Sequence, residues 1–264
     1  MTALWAPRIA LAGDRPTALL VLDFLLGEGV HPSALVLAGP DRASHAEELV
    51  ERCPFLDAAA IFRGRDFCGP AAASVLGTVD FLVAVHFPYL VPPDILSLPR
   101  HGCLNLHPGY LPFGRGWHTV TWAMLDGGPV GATLHFMDEG IDTGDIVHQR
   151  RLEVAPGDTA DTVYERVRAL EVQVFREAWP TLVDGSYTRT KQDPTAGSFH
   201  RRADLLRPEI QRLDLDEVTT AGELLRRLRA LSIGRDIEEA AYYDVDDRRC
   251  RVQVVITEEP VAQE

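Results

Sequence analysis

Two polar side chains stand two residues apart in the segment LNLHPG, which spans residues 104–109. Side chains alternate between the faces of a strand, so Asn105 and His107 point to the same face. Pro108 and Gly109 follow at once and predict a sharp end to the strand. An amide can stabilise an oxyanion and an imidazole can move a proton, so the pair indicates acyl-transfer chemistry. A hydrogen-bonded pair within a core is the alternative interpretation.

A third polar group follows in the acidic loop DEGIDTGD, which spans residues 138–145. Its Asp142 is a carboxylate that could orient the His107 imidazole and favour the charged form of the ring. Amide, imidazole and carboxylate together suit acyl transfer without a covalent intermediate. Covalent catalysis has little support, because the sequence has no GxSxG motif and no cysteine in an evident charged setting.

Metal and dinucleotide sites are poorly supported by the sequence. Histidines are numerous, but neither HExxH nor an HxH cluster appears, so we expect no catalytic metal. A metal held by Asp142, Asp145 and a histidine remains an alternative that rests on residue types alone. After RIALA the chain continues GDRPTAL and not GxGxxG, which argues against a dinucleotide at the first strand.

The elements that must position these groups alternate between strands and helices. Apolar runs predict strands at residues 8–12, 34–39, 79–87, 103–107, 131–137 and 146–154, and helical spacing predicts helices at 17–29, 46–53 and 159–183. Continuous apolar runs such as VDFLVAVHF are typical of parallel strands that are covered on both faces. The pattern therefore predicts an α/β fold with a doubly wound, mostly parallel sheet, whose carboxyl strand ends bind ligands.

The amino-acid composition of the sequence changes after Gly185. The segment 188–208 is polar, irregular and locally basic, which predicts a boundary near residue 190. We expect a catalytic domain over 1–190 and a small C-terminal α+β subdomain over 191–264. The subdomain contains a short helix, with Thr220 and Glu223 as a capping box, and ends in a β-hairpin of strands 240–245 and 250–256 joined by DDRR.

Composition limits the partners of the protein. The chain has 264 residues, is 46% hydrophobic and carries a formal net charge of −13, which argues against broad nucleic-acid binding. It contains no run of eighteen apolar residues, and its first residues do not resemble a signal peptide. We therefore expect a cytoplasmic protein that binds a small molecule and neither nucleic acid nor a membrane.

The motif NLHPGYLPFGRG at 105–116, followed by DEGIDTGDI at 138–146, resembles the folate-dependent formyltransferase family. The resemblance covers about residues 8–185 and implies a Rossmann-like domain that uses 10-formyltetrahydrofolate as cosubstrate. A substrate amine then attacks the formyl carbon directly. Asn105 and His107 would stabilise the oxyanion, His107 would also handle the amine proton, and Asp142 would hold the imidazole in place.

The resemblance also implies where the cosubstrate binds. In the family, main-chain groups of a preceding strand end and of the acidic loop hold the pterin. The corresponding positions here are His86, Phe87, Tyr89, Leu90 and Val91, together with Met137, Asp138, Glu139 and Gly140. Recognition by the main chain explains why no side-chain signature marks this site.

Within the family, the sequence looks most like sugar N-formyltransferases, which act on nucleotide-linked amino sugars such as a dTDP-4-amino-4,6-dideoxy sugar. The methionyl-tRNA branch adds a larger, basic C-terminal barrel, and the hydrolase branch adds a leading regulatory domain. GATLHFMDEGIDTGDIVHQ and the tail segment GSFHRRADL carry this resemblance. Candidate substrate contacts are Trp117, His118, Phe199, Arg201, Arg202 and Tyr242, although such arginines are usually solvated and such aromatics often pack in a core.

Three alternatives stay open at this point. The acceptor could be a free amine such as hydroxyornithine. The protein could instead be a non-catalytic, Rossmann-like protein that binds folate or a nucleotide. The C-terminal hairpin could pair with a second subunit to form a homodimer, or it could fold back on its own domain.

Overall fold

The structure is a computed structural model that describes residues 7–193, 195–234 and 237–260. Its strands are β1 (Ile9–Gly13), β2 (Ala34–Leu37), β3 (Ile61–Arg63), β4 (Phe81–Val85), β5 (Gly102–His107), β6 (Arg115–Gly116), β7 (Val130–Phe136), β8 (Ile146–Leu152), β9 (Phe199–His200), β10 (Ala241–Val245) and β11 (Arg248–Val252). Its helices are α1 (Arg15–Gly27), α2 (Ala46–Glu51), α3 (Pro70–Leu76), α4 (Pro93–Leu96), α5 (Thr119–Asp126), α6 (Ala160–Asp184), α7 (Pro208–Gln211) and α8 (Ala221–Ala230).

A seven-stranded sheet forms the centre of the molecule, in the order β3-β2-β1-β4-β5-β7-β8. The strands from β3 to β5 are parallel, whereas β7 is antiparallel to β5 and β8 is antiparallel to β7. Every residue of β1 and β4 is buried, as expected for parallel strands that are covered on both faces. The predicted Rossmann-like, mostly parallel sheet is therefore confirmed.

Helices cover both faces of this sheet. One hydrophobic cluster joins α1, α2 and α6 to the first face, and a second cluster joins α3 and α4 to the opposite face. Thr159 is the N-cap of α6, and its backbone N–H donates to the Thr162 hydroxyl at 3.0 Å. Its buried stripe includes Val163, Val167 and Val174, and it ends before Gly185 at φ +74°. The doubly wound arrangement and the predicted long helix are both confirmed.

The chain stays against the sheet beyond residue 190. Thr190 and Ile146 exchange two backbone hydrogen bonds of 2.8 and 2.9 Å at the edge of β8. Farther along, β9 pairs in parallel with β6. The division of the chain at residue 190 stays a prediction. The residues that follow position 189 pair with strands β8 and β6, which come before it in the chain.

The C-terminal elements follow the predicted order. Thr220 is the N-cap of α8, and its hydroxyl accepts a hydrogen bond from the Glu223 backbone N–H at 3.1 Å. Strands β10 and β11 form the expected antiparallel hairpin. The predicted DDRR connection is wrong in one respect, because Arg248 and Arg249 already belong to β11 and pair with β10. The turn is therefore the two-residue connection 246–247, which matches the short loops favoured in hairpins.

Candidate active site

Polar side chains of two neighbouring strands meet on one face of the sheet. Asn105 of β5 lies opposite His135 of β7, and His107 lies opposite Thr133. On β7 the alternate residues Ala132, Leu134 and Phe136 point to the opposite face and join the hydrophobic cluster beneath α1 and α6. Strand alternation thus brings the two candidate catalytic side chains of β5 beside a histidine that the motifs did not single out.

The end of β5 is shaped to hold the His107 ring. Its Nε2 lies 2.8 Å from the carbonyl oxygen of Gly114, and the side chain is almost fully buried. A Cβ atom at Gly109 would come within 2.7 Å of His107 Nε2. The sharp Pro108–Gly109 turn therefore serves a purpose beyond ending the strand: glycine lets the backbone pass close to the imidazole.

Asp142 reaches this pair from the loop between β7 and β8. Its Oδ2 lies 3.7 Å from His107 Nδ1, and its Oδ1 accepts a hydrogen bond from Asn105 Nδ2 at 3.4 Å. Both ring nitrogens of His107 thus have an oxygen atom nearby, which fixes the orientation of the ring. The three residues that the sequence predicted to converge do lie together, while their catalytic roles stay a prediction.

The carboxyl group of Asp142 is held in its charged form. Burial raises the pKa of this group, but the nearby His107, a hydrogen bond from His135 and the Gly116 backbone N–H at 2.9 Å outweigh burial and lower it below its usual range. The side chain is only 13% exposed, so these contacts act with little screening by water. A negative charge is therefore maintained beside the imidazole at neutral pH.

His135 is the residue that sequence reasoning missed. Its Nε2 lies 3.2 Å from Asn105 Nδ2 and 3.6 Å from Asp142 Oδ1, and its Nδ1 lies 2.8 Å from the Phe136 carbonyl oxygen. The signal was its place opposite Asn105, which becomes visible only if β5 and β7 are known to be antiparallel neighbours. Residue types and spacing along the chain do not supply that pairing.

The segment predicted to hold the pterin begins at the end of β4. His86 has φ +51°, and its Nε2 lies 2.8 Å from Oε2 of Glu171, a fully buried residue of α6. Phe87, Tyr89 and Val91 pack against the second hydrophobic cluster, whereas Leu90 is 71% exposed. The segment thus lies at the carboxyl edge of the parallel strands, where ligands bind in such sheets.

The second segment predicted to hold the pterin follows β7 and reaches the second hydrophobic cluster. Met137 packs against the same cluster as Phe87, and its backbone N–H donates to the Cys103 carbonyl at 2.8 Å. Asp138 accepts a hydrogen bond from the Gly140 N–H, while Glu139 and Gly140 are exposed to solvent. The two segments predicted from separate parts of the sequence therefore contact one hydrophobic cluster, on the same face of the sheet.

Four of the six predicted substrate residues gather around the β6–β9 pair. The Trp117 N–H donates to the His200 carbonyl at 2.9 Å, next to Phe199. Trp117 and Phe199 are 50% and 41% exposed, and the Arg202 guanidinium lies 5.5 Å from the Trp117 ring centre. Arg201 is also exposed. These side chains form an accessible aromatic and cationic surface.

The other two predicted substrate residues are less accessible. His118 Nδ1 lies 3.5 Å from Glu239 Oε2, and its side chain is 12% exposed. Tyr242 is buried in the hairpin, and its ring lies 3.8 Å from the Arg249 guanidinium. Tyr242 thus packs within the hairpin, and a contact between Tyr242 and the substrate stays a prediction.

Metal clusters and membrane-spanning helices are absent from the described residues. No group of three or more His, Cys, Asp or Glu side chains there is arranged to hold a metal ion. Over the same ranges, no helix is sufficiently long and apolar to cross a bilayer.

Comparison with known proteins shows the family to which the chain belongs. The Formyl transferase family model matches residues 70–179, and the N-formyltransferase dimerization C-terminal domain matches residues 207–258. The dTDP-4-amino-4,6-dideoxyglucose formyltransferase of Mycobacterium tuberculosis is 31% identical over 241 residues, which covers 90% of this chain and 98% of that protein. The chain belongs to the formyltransferase family. The resemblance drawn from the two motifs is therefore confirmed.

Solved structures of other family members support the formyltransferase fold. A 4-N formyltransferase from Francisella tularensis superposes with a TM-score of 0.79 at 24% identity, covering 96% of this chain and 99% of that one. At this identity the similarity establishes the fold alone. The formyltransferase PseJ from Anoxybacillus kamchatkensis was solved with UDP-4,6-dideoxy-4-formamido-L-AltNAc and tetrahydrofolate; it is 27% identical, with a TM-score of 0.56 over 75% of this chain and 87% of that one.

Proposed function

We propose that this protein transfers a formyl group from 10-formyltetrahydrofolate to the amine of a nucleotide-linked amino sugar, such as a dTDP-4-amino-4,6-dideoxy sugar. The observation that carries the proposal is the convergence of Asn105, His107 and Asp142 at the carboxyl end of β5. The sugar acceptor class is supported by the amino sugar nucleotide named for the mycobacterial relative and by the formamido sugar nucleotide bound in the PseJ complex.

The residues of the site divide the work of the transfer. The cosubstrate supplies an activated formyl carbon, and the acceptor amine attacks it directly. Asn105 and His107 stabilise the negative charge that develops on the formyl oxygen. As the new N–C bond forms, the bond from the formyl carbon to N10 breaks, and His107 moves the amine proton, which ends on N10 of tetrahydrofolate. Asp142 keeps the imidazole oriented and supplies a counter-charge.

The binding segments serve the two substrates separately. Main-chain groups of His86–Val91 and Met137–Gly140 hold the pterin, as supported by the packing of Phe87 and Met137 against one cluster. The surface formed by Trp117, Phe199 and Arg202 contacts the nucleotide part of the acceptor. An exposed guanidinium beside an aromatic ring suits a ligand that carries both phosphate and a planar base.

The assembly proposed for this enzyme is a homodimer formed through residues 207–258. Support comes from the match of this region to a dimerization domain and from the exposure of Val218 and Leu225 within it. The net charge of −13 disfavours nucleic acid as a partner. A cytoplasmic location is consistent with four free cysteines, Cys53, Cys68, Cys103 and Cys250, in the described chain.

The proposal is tested by release of tetrahydrofolate in the presence of 10-formyltetrahydrofolate and an acceptor panel. The panel contains dTDP-, UDP- and GDP-linked amino sugars and hydroxyornithine, with Asn105→Ala as the inactive control. We expect release that depends on one sugar nucleotide and falls about 100-fold in the control. Release with hydroxyornithine supports the free-amine alternative, release without any acceptor indicates a hydrolase, and binding without release indicates a non-catalytic protein.

A further inference from the structure

The loop that carries Asp142 is held by a side chain from a distant part of the chain. We propose that Gln192 is a positioning residue, whose amide fixes the Asp142 loop in the conformation that formyl transfer requires. The inference rests on the proposed function for its effect on turnover. Its structural part, the restraint of the loop, can be measured independently of activity.

Gln192 contacts the loop through two hydrogen bonds from one nitrogen. Its Nε2 donates to the carbonyl oxygens of Asp142 at 2.9 Å and Gly144 at 2.7 Å. Because both neighbours are acceptors, only the amide nitrogen can face them, and this fixes the orientation of the amide. The buried Oε1 has no hydrogen-bond partner among the described residues. A side chain with one end unsatisfied is poorly suited to a purely stabilising role.

The loop needs an external restraint at this position. Asp142 has φ +55°, a left-handed conformation that is unfavourable for a residue with a side chain. The first part of the loop is held internally, since Asp138 Oδ1 accepts hydrogen bonds from the Gly140 N–H and the Thr143 hydroxyl. Within the described residues, no other residue of the loop donates a hydrogen bond to the Asp142 or Gly144 carbonyl oxygen. Gln192 supplies the donor for both.

Two neighbours of Gln192 hold the residues that come after the Asp142 turn in the chain. The Arg189 Nε donates to Asp145 Oδ2 at 2.9 Å, and Thr190 pairs with Ile146 through two backbone hydrogen bonds. The segment 189–192 thus forms a strap across the second half of the loop. Arg189 and Thr190 hold residues beyond the catalytic turn, whereas Gln192 acts on the turn itself.

The restraint has a direct consequence for the catalytic carboxylate. The left-handed turn directs Asp142 Oδ2 toward both His107 Nδ1 and the Gly116 N–H. If the turn relaxes, the carboxylate moves away from both partners, and small displacements of this kind strongly slow reactions that depend on alignment. The pterin segment Met137–Gly140 keeps its own contacts, so we expect a loss in kcat and little change in KM for either substrate.

The experiment compares Gln192→Met, which removes both donors at similar length, and Gln192→Glu, which places a carboxylate against two carbonyls. The matched control is Gln211→Met, because the Gln211 Nε2 likewise donates to a backbone carbonyl, that of Glu238 at 2.8 Å, outside this loop. Steady-state kinetics, thermal unfolding and hydrogen exchange of the Gly116 amide, which Asp142 protects, are measured for all three variants.

We expect both Gln192 variants to lower kcat at least about tenfold, with KM values within about twofold of wild type, and to exchange the Gly116 amide faster. The control should lose similar thermal stability without either effect. The inference is overturned if Gly116 exchange stays at the wild-type rate, or if kcat falls no further than in the control. Absence of turnover in the wild type would instead count against the proposed function, because the exchange measurement does not need turnover.

Discussion

At the scale of single residues, Asp142 joins the parts of the candidate site. His107, His135, Asn105 and the Gly116 N–H all approach its two oxygen atoms. Asp142 thus links β5, β7 and β6 at one point. The charge state of this carboxylate is therefore a property of the whole site.

The lowered pKa of Asp142 predicts how its contribution to stability changes with pH. Because its folded-state pKa lies below the usual 3.8, ionised Asp142 stabilises the fold above that value, and this stabilisation is lost as the pH falls toward the folded-state pKa. The gap in unfolding free energy between wild type and Asp142→Asn should therefore shrink as the pH falls from about 7 to about 3. Urea unfolding at a series of pH values measures the gap, with Asp216→Asn at an exposed loop as control. A constant gap would contradict the prediction.

His135 offers a second test at this scale. It is 1% exposed, and replacement by phenylalanine leaves the Asn105 amide and one Asp142 oxygen without a ring nitrogen nearby. We expect His135→Phe to lower kcat at least about tenfold, since the amide and carboxylate then lose a shared partner. His148→Phe on β8 is the control, because that histidine pairs with Glu177 at the surface. Equal rates for the two variants would show that His135 has no part in the reaction.

At the scale of elements, the sequence was informative where a pattern is local. Alternation along β5 placed Asn105 and His107 on one face, and the helical spacing of apolar residues placed α6. The antiparallel entry of β7 was not predicted, because an apolar run is compatible with either direction. His135 and Gln192 were missed for the same reason. His135 lies 30 residues beyond Asn105, and Gln192 lies 50 residues beyond Asp142, so neither contact follows from a local pattern.

The β6–β9 pair shows how one element joins the substrate surface to the catalytic carboxylate. Gly116 has φ +88°, and a Cβ atom there would lie 2.2 Å from the His200 carbonyl oxygen. Its N–H donates to Asp142, so the strand pair also positions the carboxylate. Any side chain at position 116 would therefore push β6 and β9 apart.

Gly116→Ala should consequently weaken acceptor binding and turnover together. We expect kcat/KM for the sugar nucleotide to fall about 100-fold, because the substitution displaces both Trp117 and the donor to Asp142. Gly27→Ala is the control, since a Cβ atom there meets no atom within 4 Å. Kinetics with varied acceptor, at saturating cosubstrate, measure the effect. Wild-type kinetics for Gly116→Ala would mean that the strand pair is not needed for the site.

At the scale of the whole molecule, the exposed apolar side chains bear on assembly. Val218 is 100% exposed, and Leu225 on α8 is 50% exposed. Both lie within residues 207–258, the region that matches a dimerization domain. Burial of such side chains against a second copy removes apolar surface from water, which is the usual driving force for association.

Substitution of either side chain by aspartate therefore distinguishes a dimer interface from a solvent-exposed surface. In a monomer Val218→Asp and Leu225→Asp cost little, because the side chains are already solvated, whereas in a dimer they bury an unpaired charge. Light scattering after gel filtration should give twice the 29.1 kDa chain mass for the wild type and the single mass for the variants, with unchanged circular dichroism. Phe55→Asp, at an exposed position far outside 207–258 in sequence, should keep the wild-type mass. A wild-type protein that stays at the single mass at micromolar concentration would refute the homodimer, and variants that keep the double mass would place the interface elsewhere.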